Sequence, residues 1–280
     1  MTVITIFHLP STGSFRSIWL ACELGLTFQL NHRQEADEAS DSETHPLSKA
    51  PILLDGNISI ATHGAAREYL LSSYDRCGMR PPMAHPDYIQ YLQWVHYLEG
   101  TLLPLVEQQS IIHKLGQSRV PFFARSIMKK TVLNYLNTHI MPELQRQLNY
   151  IDQSLAASGW TCGSRFCAAD IDLAYILLGL EAEAKLLPEH KNIEMFLSAV
   201  KERATYQLAK EKSTTTSNAL GFEQSAQTTA VAQAEEVELV DEERADAVDT
   251  STAEAAPHEA ESDGITTGHD MTEQTTPKRD

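Results

Sequence analysis

Three hydroxyl side chains, Ser11, Thr12 and Ser14, stand where an apolar run, Val3 to Leu9, gives way to a helical pattern. Hydroxyls at such a junction cap the helix by accepting its free N–H groups. The positive end of the helix dipole also favours an anion beside them. Thr62, followed by His63, opens another helical pattern and can cap it. His45, Lys49 and Ala50 precede Pro51, which heads an apolar stretch. The cysteines are Cys22, Cys77, Cys162 and Cys167, with no CxxC pair. None lies at the first strand–helix junction, which disfavours a thiol–disulfide oxidoreductase working through its own cysteine. Their small number fits free thiols in a reducing cytoplasm. Cys162 and Cys167 have no His or Cys partner at metal-ligand spacing, so no metal is expected.

The elements that must position these groups are legible in the pattern. Val3 to Leu9 reads as a strand, Ser14 to Leu26 as a helix closed by Gly25, and Thr27 to His32 as a second strand. An irregular polar stretch, 34–49, follows. Pro51 to Leu54, the turn Asp55-Gly56-Asn57 and Ile58 to Ala61 read as a hairpin. A helix from Thr62 to Tyr74 completes a β-α-β, loop, β-β-α order, which is a thioredoxin-like layout. Residues 80–86 read as a linker. Beyond it the pattern is all helical: Tyr88 to Lys114, Phe122 to Leu155 with an interruption at Pro142, Ala168 to Glu181, and Asn192 to Lys210. Cys167 to Asp170 has the spacing of a capping box before the most apolar helix.

The chain has 280 residues and a net charge of −16. From Ser213 onward there are 16 acidic and 3 basic residues, so the first 212 residues are nearly neutral, at −3. No part has the basic balance that neutralising a phosphate backbone requires, so nucleic acid is not an expected partner. The 213–280 segment is dominated by Thr, Ser, Ala, Gln, Glu and Asp and is expected to be disordered. No apolar run is long enough to span a bilayer, so no membrane partner is expected. The N-terminus has no basic region before its apolar stretch and is not read as a signal peptide.

Four segments, in order, carry a family resemblance. They are Ser14-Phe-Arg-Ser-Ile-Trp-Leu-Ala-Cys-Glu-Leu-Gly25, His45-Pro-Leu-Ser-Lys-Ala-Pro-Ile-Leu-Leu-Asp-Gly56, Trp94-Val-His-Tyr-Leu-Glu-Gly-Thr-Leu-Leu-Pro-Leu105 with Pro121-Phe-Phe-Ala-Arg125 after it, and Ser164-Arg-Phe-Cys-Ala-Ala-Asp-Ile171. Together they resemble the glutathione transferases, in particular the bacterial and fungal subgroup with a serine-type N-terminal motif. The resemblance implies an α/β thioredoxin-like domain over residues 1–79, an all-α domain over 86–212 and the acidic tail over 213–280.

It also implies an activity. Such an enzyme binds glutathione as a co-substrate, with no permanent cofactor, and adds its thiolate to small hydrophobic electrophiles, or reduces peroxides with it. By counting back from Arg16, the family's catalytic serine falls on Thr12, with Ser11 one residue away; the two stay open as alternatives, and helix capping is the plain reading of both. Ser14, His45, Lys49, Ala50, Pro51, Thr62 and His63 are the implied glutathione contacts. Pro51 is implied to be cis, and a trans proline at a strand start is the alternative. Tyr97, Phe122 and Phe123 are candidates for the electrophile pocket. Gly13 stands where this subgroup has an arginine, and Thr62-His63 where it has Glu-Ser. These departures, with the tail, motivate the alternative of a catalytically weak binding or regulatory protein; the enzyme is the leading reading. A homodimer is the family's usual assembly.

Overall fold

Each predicted strand and the first two helices form where the pattern places them. β1 (Ile4–His8), α1 (Ser14–Glu23), β2 (Phe28–His32), β3 (Ile52–Asp55), β4 (Ile58–Ala61) and α2 (His63–Tyr74) build one layer. This is a computed structural model, and it describes residues 3–10, 12–33, 45–47 and 51–219. Ser11, Lys49, Ala50 and positions 220–280 lie outside the described residues. The strand order is β2-β1-β3-β4, with β1 parallel to β2 and antiparallel to β3. The Asp55-Gly56-Asn57 turn joins β3 to β4, with Gly56 at φ 58° as a tight hairpin demands. Gly25, at φ 65°, turns the chain out of α1 after Leu24.

The remainder is helical: α3 (Asp87–Tyr97), α4 (Leu103–Gly116), α5 (Phe122–Tyr135), α6 (Met141–Leu155), α7 (Ala168–Ala182), α8 (Lys191–Glu202) and α9 (Ala204–Ala219). Two π-helical turns, Leu98–Leu102 and Leu136–Ile140, precede Pro104 and Pro142. A proline has no N–H for the carbonyl four residues back, and a wider turn accommodates the missing bond. Pro142 thus interrupts the long helix as expected, and the matching break before Pro104 divides the helix that the pattern runs unbroken from Tyr88 to Lys114. The helix predicted over 192–210 is two helices that part at Arg203, and α9 runs on to Ala219. The Arg203 guanidinium forks onto Glu23 of α1 at 2.9 and 2.8 Å, where Trp19 and Thr205 also donate.

α7 is apolar nearly all round and sits in the main core with Trp19 and Leu20 of α1, Tyr91 and Leu98. Its capping box forms: Asp170 accepts from the Cys167 N–H at 2.8 Å and from the Thr161 N–H at 2.7 Å. α1 packs against α2, α7 and α9, so the helical layer lies directly on the α/β layer.

Candidate anion-binding site at two helix starts

The first part of the site is the β1–α1 junction. Thr12 donates to the Leu9 carbonyl at 2.7 Å and lies 2.8 Å from Ser14 Oγ. Ser14 Oγ also reaches the Leu9 carbonyl at 3.0 Å and receives the Leu9 N–H at 3.3 Å. His8 Nδ1 lies 2.8 Å from the same Oγ. Burial, and then the neighbouring His32, push the His8 imidazole down to about 4, so it is neutral near pH 7. Ser14 is fully buried and Thr12 is half-buried. Of these two hydroxyls, only Thr12 has access to a ligand; Ser14 is turned inward to hold the turn.

The second part is the start of α2. Thr62 has φ 75°, an outlier for a β-branched residue of the kind that gathers at functional sites. Its side chain caps nothing, and α2 has no acidic residue in its first turn, so the N–H groups there keep their affinity for an anion. Thr62, His63 and Gly64 line a cleft of about 480 Å³ with Arg16, Glu68 and Glu99.

Beneath that cleft lies a buried charge cluster. Asp172, on α7, is fully buried. Arg16 Nη1 reaches its Oδ1 at 3.2 Å, His63 Nε2 lies 2.7 Å from the same atom, and Arg67 Nη1 pairs with Oδ2. Arg67 also reaches Glu99 at 3.2 Å. Burial alone raises a carboxyl, but His63, Arg67 and Arg16 outweigh it and hold Asp172 below the usual carboxylate range. Burial pushes His63 down to about 4 against the opposing pull of Asp172. An ionised Asp172 can only accept, so the neutral His63 carries its proton on Nε2. Its Nδ1, 3.1 Å from Ser17 Oγ, then accepts from that hydroxyl.

Arg16 matters most for ligands. It is buried, it lines the cleft, and its Nε has no hydrogen-bond partner. Its guanidinium covers Gly13, where an added Cβ would come within 2.5 Å of it, and lies over the Tyr175 ring at 4.9 Å. The position after Thr12 has no side chain, and a cation three residues later occupies that space. Donor atoms of His63, Glu99 and Asp172 lie within 4.8 Å of one another. Two guanidiniums already neutralise Asp172, however, and a metal cation there would be repelled.

The other sequence candidates are placed as follows. Pro51 is buried and its carbonyl accepts the Thr62 N–H at 3.1 Å, linking the hairpin to the α2 start. His45 is half-buried and accepts the Leu47 N–H. Tyr97 donates to Gln147 at 2.6 Å and packs on Trp94 and Tyr150. Phe122 and Phe123 stand exposed at the start of α5, and neither lines the cleft beside α2. The structure therefore brings Thr12, Ser14, Thr62 and His63 to the two helix starts and does not bring the three aromatics there. Arg16, Arg67, Glu99, Asp172 and His8 were not singled out from the sequence as site residues. An aspartate in the otherwise apolar run Ile171 to Leu178 was the available signal, because a buried charge needs a partner.

No family model matches the chain. It is 24% identical over 213 residues to Glutathione S-transferase 3 of Schizosaccharomyces pombe, covering 75% of this chain and 88% of that protein. It is 22% identical over 226 residues to Glutathione S-transferase 1 of Saccharomyces cerevisiae, covering 76% and 96%. Among solved structures it resembles a glutathione transferase homolog from Lodderomyces elongisporus with two glutathione molecules per subunit. The TM-score is 0.63 at 14% identity, over 75% of this chain and 99% of that one.

Proposed function

We propose, from its membership of the glutathione S-transferase family, that this chain holds glutathione across the two helix starts and transfers its thiolate to small electrophiles. The observation that carries the assignment of site residues is the buried, unpartnered Nε of Arg16 beside the uncapped start of α2. The γ-glutamyl end of glutathione is an α-amino acid zwitterion, and the cleft offers both complements. Arg16 and the first N–H groups of α2 suit its carboxylate. Glu99 and Glu68 suit its ammonium group.

This pose directs the thiol to the start of α1. A free thiol has a pKa near 8.5, and each unit of lowering needs about 1.4 kcal/mol of preference for the anion. The Thr12 hydroxyl turns from the Leu9 carbonyl to the sulfur and donates to it. Ser14 then donates to that carbonyl, and neutral His8 donates from Nδ1 to Ser14 Oγ, so no buried group loses its partner. The thiol proton leaves to solvent. The thiolate lone pair forms the C–S bond, and the electrophile's leaving group departs with its electron pair, or the pair moves onto the acceptor in an addition. Position and electrostatics are the protein's contribution. Thr12→Val and Arg16→Leu, assayed for conjugation, separate the two roles: the first lowers kcat and the second raises KM for glutathione. Normal kinetics in both variants would contradict the site.

His63 supports a second reading, a binding protein of the same scaffold with weak turnover. Its side chain faces Asp172 and Ser17, so the α2 start offers backbone donors without a serine-like hydroxyl. Under this reading Thr12→Val changes neither binding nor a residual rate. Domain limits at 79 and 86, a homodimer, a cytoplasmic site of action and hydroperoxides as further substrates belong to the same proposal.

A further inference from the structure

The α4–α5 hairpin inverts the charge of the rest of the chain. From Gln108 to Pro142 there are five basic residues, Lys114, Arg119, Arg125, Lys129 and Lys130, and no Asp or Glu, in a chain of net charge −16. All five are exposed. The hairpin closes on a small core of its own, Val132, Leu136 and Ile140, with Ile112 and Met128 against it. Its outward side carries bare apolar groups: Phe122 is 83% exposed, Phe123 and Ile127 are 70%, and Ile111 is 67%. Phe122 and Phe123 open α5 just after the turn, their rings edge to face at 5.7 Å. Phe123, Ile127 and Lys130 follow at helical spacing on one stripe, and Phe122 aligns with Lys129 one heptad on.

Exposed phenylalanine and isoleucine interleaved with exposed lysine and arginine have the chemistry of an element that lies in a membrane interface. We propose that this hairpin seats on an anionic phospholipid surface. Phe122, Phe123 and Ile127 enter the headgroup–acyl boundary, and the five basic side chains meet the lipid phosphates. Attachment is peripheral, because no helix among the described residues is long and apolar enough to cross a membrane. The absence of a spanning segment, which set the sequence expectation, does not bear on it. A second copy packing its own hairpin on this one would set like charges against each other. A nucleic acid matches the charge but leaves the phenylalanines bare. The negative charge elsewhere on the chain is screened beyond roughly 8 Å at physiological salt.

The test is co-sedimentation of the full chain with vesicles of phosphatidylcholine, with and without phosphatidylserine. The expected result is partition onto the serine-lipid vesicles only, lost at high salt. Partition weakens at least tenfold in both F122S/F123S and K129E/K130E, with thermal midpoints close to that of the parent. Equal behaviour on both vesicles, or no partition, overturns the proposal. So does salt-sensitive binding to an oligonucleotide or heparin that survives F122S/F123S while vesicle binding is absent, because the patch is then electrostatic alone. Conversion of a dimer to a monomer by F122S/F123S, read by ultracentrifugation, overturns it as well, by showing the face to be a subunit contact.

Discussion

Replacing Asp172 by Asn removes one negative charge from a place where three basic side chains converge. Asp172 is fully buried, Arg16 is 6% and Arg67 3% exposed, and the contacts to Arg16 and His63 are 3.2 and 2.7 Å. Removing one partner of a buried ion pair costs about 3–5 kcal/mol, because the remaining charge is left without compensation. Arg67 keeps Glu99 and Glu68, at 3.2 and 3.3 Å, so its loss is partial. Arg16 keeps its face on the Tyr175 ring. The expected loss is therefore at the lower end, about 3 kcal/mol, which for a folded region of this size lowers Tm by roughly 6–12 °C. Calorimetric unfolding of D172N against the parent reads this directly. Freed from its anchor, Arg16 also holds a carboxylate less well, so glutathione affinity falls with stability. A Tm shift under about 2 °C with unchanged glutathione affinity would refute the reasoning, since the cluster would then support neither the fold nor the cleft.

Other outcomes follow from the same geometry. Thr12→Val removes one hydrogen bond to an anion, worth roughly 1.5–3 kcal/mol, so the bound thiol's pKa rises by about one to two units; ultraviolet thiolate absorbance against pH measures it. His8 and His63 both titrate near 4 in the folded chain against an ordinary 6.5, so the unfolded chain binds their protons first. Their contribution to stability is complete above pH 6.5 and falls as pH drops toward 4, by up to about 3 kcal/mol each. Asp170, raised by burial to about 6, opposes this trend between about 4 and 6. His63→Gln is expected to flatten the decline in denaturant midpoint between pH 6.5 and 4. Asp170→Ala strips the partners from the Thr161 and Cys167 N–H groups and costs about 2 kcal/mol, read as a lower midpoint at unchanged denaturant slope.

Local signals told most about the frame and least about the site. The Asp55-Gly56-Asn57 turn, Gly25 and the Cys167–Asp170 box each depend on neighbours a few residues away, and each formed as read. The breaks before Pro104 and at Arg203 were missed. The first depends on how a π turn absorbs a proline, the second on a salt bridge from Arg203 to Glu23 across 180 positions. The charge cluster joins α1, α2 and α7, and no short window of sequence holds Arg16, His63, Arg67 and Asp172 together. The resemblance implies a glutathione contact for His63, yet its side chain faces Asp172 and Ser17. It is buried, because Asp172 and Ser17 give both nitrogens of its neutral imidazole a partner. Phe122 and Phe123 fit the pattern of a pocket wall, yet α5 begins where nothing among the described residues covers them.

The most direct test of the central claim is calorimetric titration of glutathione into the full chain, beside Arg16→Leu. Binding in the millimolar range or tighter is expected, with a clear loss in the variant while its circular dichroism is unchanged. No heat of binding at several millimolar glutathione, or equal affinity in the two proteins, would contradict it.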